Sequence, residues 1–268
     1  MATLSLVVLT SCRRRGGPES VPAPVPQQEA APEPRFRTGE DVIGAMHDRY
    51  AGKWYSTLTF KQKTSRLLPN GKWNVQTWWV ATKLPGRMRI DFDPVRAGNG
   101  VLYARDSQFV IQNGRPLRGD PAINPLLLLG FDVHATPAAR TMARLRREGF
   151  DLTRVHETTF RGDPMIVVGA RKGDFNRKQF WIEAERLVFV RMLEPTPRDT
   201  SKMQDIRFVN YERRGGGWIA PRVEIWSEGK LVFYEDYEDV RTDVDLDDAL
   251  FTPSKWKTTK HWTATTTR

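Results

Sequence analysis

Residues 55–93 read YSTLTFKQKTSRLLPNGKWNVQTWWVATKLPGRMRIDFD, and the alternation within them decides the fold class. Two turn signals, Pro69-Asn70-Gly71 and Leu84-Pro85-Gly86, divide the stretch into three strand-like runs. In the first run Leu58 and Phe60 alternate with Thr57, Thr59 and Lys61. In the third, Met88, Ile90 and Phe92 alternate with Arg87, Arg89 and Asp91. Successive side chains of a strand point to opposite faces, so one face is apolar and the other polar or charged. The middle run differs. Trp73, Val75, Thr77, Trp79 and Ala81 fall on one face, and Asn74, Gln76, Trp78, Val80 and Thr82 on the other. Tryptophan on both sides predicts a strand covered on both faces, inside an antiparallel meander that opens a curved sheet.

Working outward, residues 40–51 form a helix. Glu40 and Asp41 suit its positive end, Gly52 stops it, and Val42, Ile43, Met46 and Tyr50 share one stripe. After the meander, residues 101–105 and 108–112 form two short strands. Asn124-Pro125 then begins a helical turn of four leucines, Leu126, Leu127, Leu128 and Leu129, ending at Gly130. Four consecutive leucines cannot share one side of a helix, so the segment lies between layers or plugs a cavity mouth. A further helix covers residues 138–148. Met142 and Leu145 face in, and Arg140, Arg144, Arg146 and Arg147 make a basic outer face, either solvated or set against an anionic membrane. From residue 153 to 240, strand runs at 153–160, 165–171, 179–184, 187–193, 203–212, 218–227 and 231–240 alternate with tight turns. That rhythm favours antiparallel hairpins. About ten to twelve strands result, enough for a sheet that must curl, split or close.

Composition bounds the rest. The chain has 268 residues, 39% hydrophobic with 9 Trp, which is ample for a core. Its formal charge of +10 suits an anionic partner, but the Lys and Arg residues are spread along alternating strand faces and no nucleic-acid module is present. The single cysteine, Cys12, excludes an internal disulfide and a cysteine metal site. It follows a short apolar run of the kind that marks an export signal, and Leu9-Thr10-Ser11-Cys12 resembles the bacterial lipobox, in which cleavage leaves a lipidated cysteine. The run carries no basic n-region, which a start upstream of Met1 would supply. Residues 13–38 are Pro-rich with few large apolar side chains, an extended tether. No run approaches the ~20 apolar residues that span a bilayer.

No catalytic constellation emerges. His47, His134, His156 and His261 are far apart, and no nucleophile elbow, P-loop or dinucleotide fingerprint occurs. Asp91 and Asp93, beside Arg87 and Arg89, read as surface ion pairs. The acidic stretch 235–248 lacks a calcium-loop pattern and reads as solvated charge. The reading is a non-enzyme with no cofactor and no metal. What stands out is apolar surface on both faces of several strands. It fits a well-filled core, and it fits a barrel with room for an apolar ligand.

Several of these features together resemble the LolA/LolB-like superfamily of periplasmic lipoprotein carriers and outer-membrane lipoprotein-sorting proteins. They are the helix leading into Leu58-Thr59-Phe60-Lys61-Gln62, the turn Lys83-Leu84-Pro85-Gly86-Arg87-Met88-Arg89, the segment Leu102-Tyr103-Ala104-Arg105-Asp106, the leucines, and Leu250-Phe251-Thr252-Pro253. The resemblance implies a mainly β fold: a strongly curved antiparallel sheet forming an unclosed half-barrel, with helices as lid. The domain plan is an export signal at 1–12 ending in lipidated Cys12, the tether at 13–38, the half-barrel at 39–258 and a flexible tail at 259–268. The ligand-facing residues it implies on the opening meander are Phe60, Trp79, Met88, Ile90 and Phe92. Leu126, Leu127, Leu128 and Leu129 belong to the lid, and Phe180, Ile182, Phe208, Ile225 and Phe233 to the remaining strands. The implied partners are acyl chains of lipoproteins or lipids and a membrane surface reached through the anchor. The implied setting is the periplasmic side of the outer membrane, for a monomer. The carrier has an arginine before the proline of the second-strand turn that bonds to the lid, and here that position is Leu84. The alternative is a non-catalytic envelope structural or interaction module with a filled core.

Overall fold

The meander folds into β1 (Thr57–Leu67), β2 (Trp73–Lys83) and β3 (Arg87–Phe92), but β2 is not covered on both faces along its whole length: it is buried only toward Val80, Ala81 and Thr82, and Trp73 and Val75 at its start are exposed. The computed structural model describes residues 35–197 and 199–265. Cys12, the apolar run before it and residues 13–34 of the Pro-rich segment lie outside the described residues. The chain divides into two units, Met1–Glu33 and Pro34–Arg268, and the described residues belong to the second.

Next come β4 (Gly100–Ala104), β5 (Ser107–Gln112) and β6 (Arg115–Pro121). The later chain gives β7 (Val155–Phe160), β8 (Asp163–Val168), β9 (Gln179–Glu183) and β10 (Val188–Pro195). It ends with β11 (Met203–Val209), β12 (Glu212–Arg214), β13 (Gly217–Ile219), β14 (Arg222–Ser227) and β15 (Lys230–Thr242). A 13-stranded sheet runs β6-β5-β4-β3-β2-β1-β15-β14-β11-β10-β9-β8-β7, with β12 and β13 as a separate hairpin. Every pairing in the sheet is antiparallel, and β6 and β7 are free edges, so the barrel stays open. Register shifts between β1 and β15, β14 and β15, β9 and β10, and β5 and β6 bend the strands. Such bulges add local twist, which turns a wide sheet into a trough.

The strand number exceeds the ten to twelve expected, for two reasons. Asn210 takes a left-handed conformation (φ 62°) and splits the run at 203–212, and Pro221 separates β13 from β14. β6 carries two prolines and little apolar surface, so alternation could not reveal it; prolines are tolerated there because the strand lies at an edge.

Helices α1 (Gly39–Tyr50), α2 (Pro125–Gly130) and α3 (Ala138–Arg147) contribute to one large core on the concave face. Thr38 and Asp41 form a reciprocal capping box on α1, which places Val42, Ile43, Met46 and Tyr50 in the core. The basic face of α3 is partly committed to internal pairs: Arg144 and Arg140 with Asp106 in the β4–β5 turn, and Arg146 with Glu40.

The convex face has its own cover. Ala81, Leu102, Ala104 and Ile111 pack under Leu246, Leu250, Phe251 and Trp256 from the chain's last turns. Gly100 permits this, because a Cβ there would stand 2.8 Å from the Trp256 ring. Beneath this cap, Arg89 and Asp91 are 3% and 1% exposed and joined by two bonds of 2.8 and 2.9 Å, with the Arg89 guanidinium 3.7 Å from the Trp256 ring centroid. The surface ion pair expected here is therefore buried, because the C-terminal turns close over it. Two described residues of the tail expected to be flexible from residue 259, His261 and Trp262, also take part. Trp262 packs against this cluster, and His261 Nε2 lies 3.5 Å from Asp91 Oδ2.

Candidate functional site

Cross-strand register sets which side chains enter the trough, since directly paired residues share a face. Phe60 pairs with Val80, Val80 with Ile90, and Thr82 with Met88, so these point to the concave side. On the other half of the sheet, Ile206 pairs with Ile225, Phe208 with Val223, and Ile225 with Phe233. Between the two halves and beneath α2 lies a cavity of about 110 Å³, lined by Phe60, Val80, Met88, Ile90, Leu126, Leu127, Phe131, Phe208 and Val223 among others. Residues two further along the same strand faces, Ile225 and Phe233, line a larger open hollow of about 920 Å³ with Leu67, Leu68 and Val232. A third hollow, about 420 Å³, is lined by Trp78, Phe92 and Arg66, and Arg66 borders both of the open ones. One end of the trough is thus covered by helices and the other is open.

The cavity is not wholly apolar. Gln62, Asn124, Glu235 and Tyr237 also line it. Tyr237 stacks on Phe60 at 4.1 Å between centroids and donates its hydroxyl to Glu235 Oε2 at 3.1 Å. Burial pushes the Glu235 carboxyl up to about 7, against the opposing pull of hydrogen bonds from Tyr237 and Gln62.

The lid is held from two sides. Asn124 caps α2, accepting from the backbone N–H of Leu126 and Leu127, and a 3₁₀ turn, Asp132–His134, follows. Asp132 Oδ1 accepts the Gly86 N–H at 2.9 Å, tying the lid to the β2–β3 turn. His134 Nδ1 meets the Met46 carbonyl at 3.0 Å, tying it to α1, and its ring lies tilted against Trp54 at 3.9 Å between centroids. Leu84, where the carrier has its arginine, is buried in the core, and the carboxylate–backbone bond supplies a tie at the same turn. Burial raises the Asp132 carboxyl to about 7 and lowers His134 to about 4, so both are neutral over a shared pH window. Gly130 lets the lid sit close, since a Cβ there would stand 2.8 Å from the Phe208 ring.

Two solved structures share this architecture. A DUF1329 family protein from Desulfovibrio piger is 17% identical, aligned over 81% of this chain and 96% of its own, with TM-score 0.52. A domain assigned to outer membrane lipoprotein sorting, from Vibrio parahaemolyticus, is 12% identical over 82% of this chain and 98% of its own, with TM-score 0.53. The fold is LolA-like. A LolA superfamily protein from Nitrosomonas europaea also aligns, at 11% identity over 78% of this chain and 97% of its own, with TM-score 0.49. No family model and no curated protein sequence matches the chain.

Within this LolA-like trough the expected ligand-facing residues divide into groups. Phe60, Met88, Ile90, Leu126, Leu127 and Phe208 line the covered cavity, while Phe92, Ile225 and Phe233 line the open hollows. Phe180, Ile182 and Leu129 are fully buried in solid core, and Leu128 lies beside a small cleft near Asp106 and Arg144. Trp79 must be corrected. It pairs with Lys61 and Asp91, points to the convex side, and its indole N–H reaches Asp93; Trp78 takes the inward place. The polar residues Gln62, Glu235 and Tyr237 were missed, although Glu235 alternates with Phe233 and Tyr237 and so had to share their face. Among the described residues no cluster of His, Cys, Asp and Glu could hold a metal, and no helix is long and apolar enough to cross a membrane.

Proposed function

We propose that this protein is a non-enzymatic carrier or acceptor that takes an acyl chain of a lipoprotein or lipid into the concave trough. The observation that carries this reading is the succession, along the same strand faces, of the covered cavity at Phe60 and Phe208 and the open hollow at Ile225 and Phe233. A cavity of about 110 Å³ holds part of a chain, and the open hollow has room for the remainder. The likeness in fold to a lipoprotein-sorting domain supports the same reading. In this proposal Cys12 carries the lipid anchor and residues 13–38 span from the membrane to a domain at 39–258. The protein acts as a monomer on the periplasmic side of the outer membrane and binds no nucleic acid. The rival reading, an envelope interaction module with a filled core, draws support from the solid packing at Phe180, Ile182 and Met192.

The experiment is lipid extraction and mass spectrometry of the folded, detergent-free full chain, with titration of the neutral hydrophobic fluorophore N-phenyl-1-naphthylamine. Co-purified acyl lipid, or saturable fluorophore binding weakened by Phe208→Asp, is the expected result. Absence of both sinks the carrier reading and leaves the filled-core module.

A further inference from the structure

A carboxyl group is an expensive thing to place in an apolar cavity. Glu235 stands in one without a cation: among the described residues no Lys, Arg or His lies within ion-pair distance of it. Its neighbours on β15 are directed elsewhere. Asp236 pairs with Arg222 and Glu238 with Lys61, both on the convex side. The other polar groups of the cavity are already engaged. The Asn124 side chain caps α2, the Gln62 amide donates to Thr64 at 2.8 Å and also serves Glu235, and the Tyr237 hydroxyl donates to Glu235. Glu235 therefore keeps acceptor capacity facing the cavity.

The groups that face it can be named element by element. β1 contributes Gln62 and Thr64, with Arg66 one step further toward the open end; β2 contributes Trp78 and Gln76. β14 contributes Val223, its direct partner, and α2 contributes Leu126 and Leu127. Tyr237, the titratable neighbour, is held neutral because burial raises its hydroxyl well above the usual value.

We propose that Glu235, supported by Tyr237 and Gln62, recognises the polar end of a single-chain amphiphile and selects heads that donate hydrogen bonds, such as an amine, amide or hydroxyl, over a free carboxylate. This rests on the reading of the trough as an acyl-chain site. Above a pH of about 7 the Glu235 carboxylate repels an anionic head and attracts a cationic one; below it the neutral acid does neither. The preference runs against the net charge of +10, which by itself draws anions. A local cause is thereby separable from the global field.

The test is displacement of N-phenyl-1-naphthylamine from the full chain by decylamine, decanol and decanoate, at pH 8.5 and pH 5.5. Decylamine should displace the fluorophore at a concentration at least about tenfold below decanoate at pH 8.5, with decanol between, and the gap should narrow at pH 5.5. In Glu235→Gln, with displacement scaled to that variant's own fluorophore affinity, the gap should vanish at both pH values. Equal displacement by amine and carboxylate at pH 8.5, or a gap that survives Glu235→Gln, overturns the proposal while leaving acyl-chain binding intact. A wild-type chain that carries no acyl lipid and binds no fluorophore overturns the acyl-chain reading, and head-group selection with it.

Discussion

Replacing Asp132 with asparagine tests the lid's attachment through its pH dependence. The carboxyl is 2% exposed, accepts one backbone N–H from Gly86, and is raised by burial from 3.8 to about 7, with Arg144 and Arg140 opposing and Asp106 reinforcing the rise. A folded value above the unfolded one means that the native state holds the proton more tightly, so stability is lost as pH climbs between the two values. A rise from 3.8 to about 7 corresponds to about 4 kcal/mol once pH exceeds 7. An asparagine side chain keeps an acceptor for the Gly86 N–H and never ionises. Relative to wild type, Asp132→Asn should therefore gain about 3 kcal/mol between pH 5 and pH 8.5. Urea denaturation of both proteins at each pH measures the difference, and Glu235, which is common to both, cancels. Parallel stability curves would refute the reasoning, because an Asp132 that ionises freely in the folded protein gives no pH-dependent gap.

His134 has the opposite sign. Burial lowers it to about 4, so wild type loses stability as pH falls from 6.5 toward 4, and His134→Gln should flatten that acid limb in calorimetric Tm measurements. Asp91→Asn leaves the Arg89 guanidinium buried under Trp256 without its counter-charge and should cost about 3–5 kcal/mol in urea denaturation; a cost below about 1 kcal/mol would mean that the pair is solvated. Gly130→Val sets a branched side chain against the Phe208 ring. It should lift α2 and raise the Kd for N-phenyl-1-naphthylamine several-fold with the Tm lowered only slightly, and unchanged binding would detach the lid from the site.

The alternation in residues 55–93 was enough to place strands, turns and the apolar faces of β1 and β3, because period two is a local property of the chain. It was not enough to orient β2. With tryptophan on both faces, the inward one is decided by pairing with Phe60 through Val80, a long-range choice that selects Trp78 over Trp79. The Glu235 position was legible from Phe233 and Tyr237 on either side, yet the acidic residues that follow make it look like one more solvated charge. The lid's fastening was not legible at all. The Gly86–Asp132 bond joins residues 46 apart, and the His134–Met46 bond joins residues 88 apart. Neither spacing leaves a periodic trace. The burial of Arg89 and Asp91 depends likewise on Trp256 and Trp262 returning from the end of the chain.

The claim that the trough receives an acyl chain is tested most directly by photo-cross-linking. A palmitoyl probe bearing a terminal diazirine is irradiated with the full chain, and the modified residues are mapped by mass spectrometry. The account predicts adducts confined to the concave face, at Phe208, Leu126, Ile225 or Phe233, and suppressed by excess unlabelled palmitoyl lipid. Adducts on the convex face around Trp79 and Trp226, or labelling that excess lipid does not compete away, would contradict it.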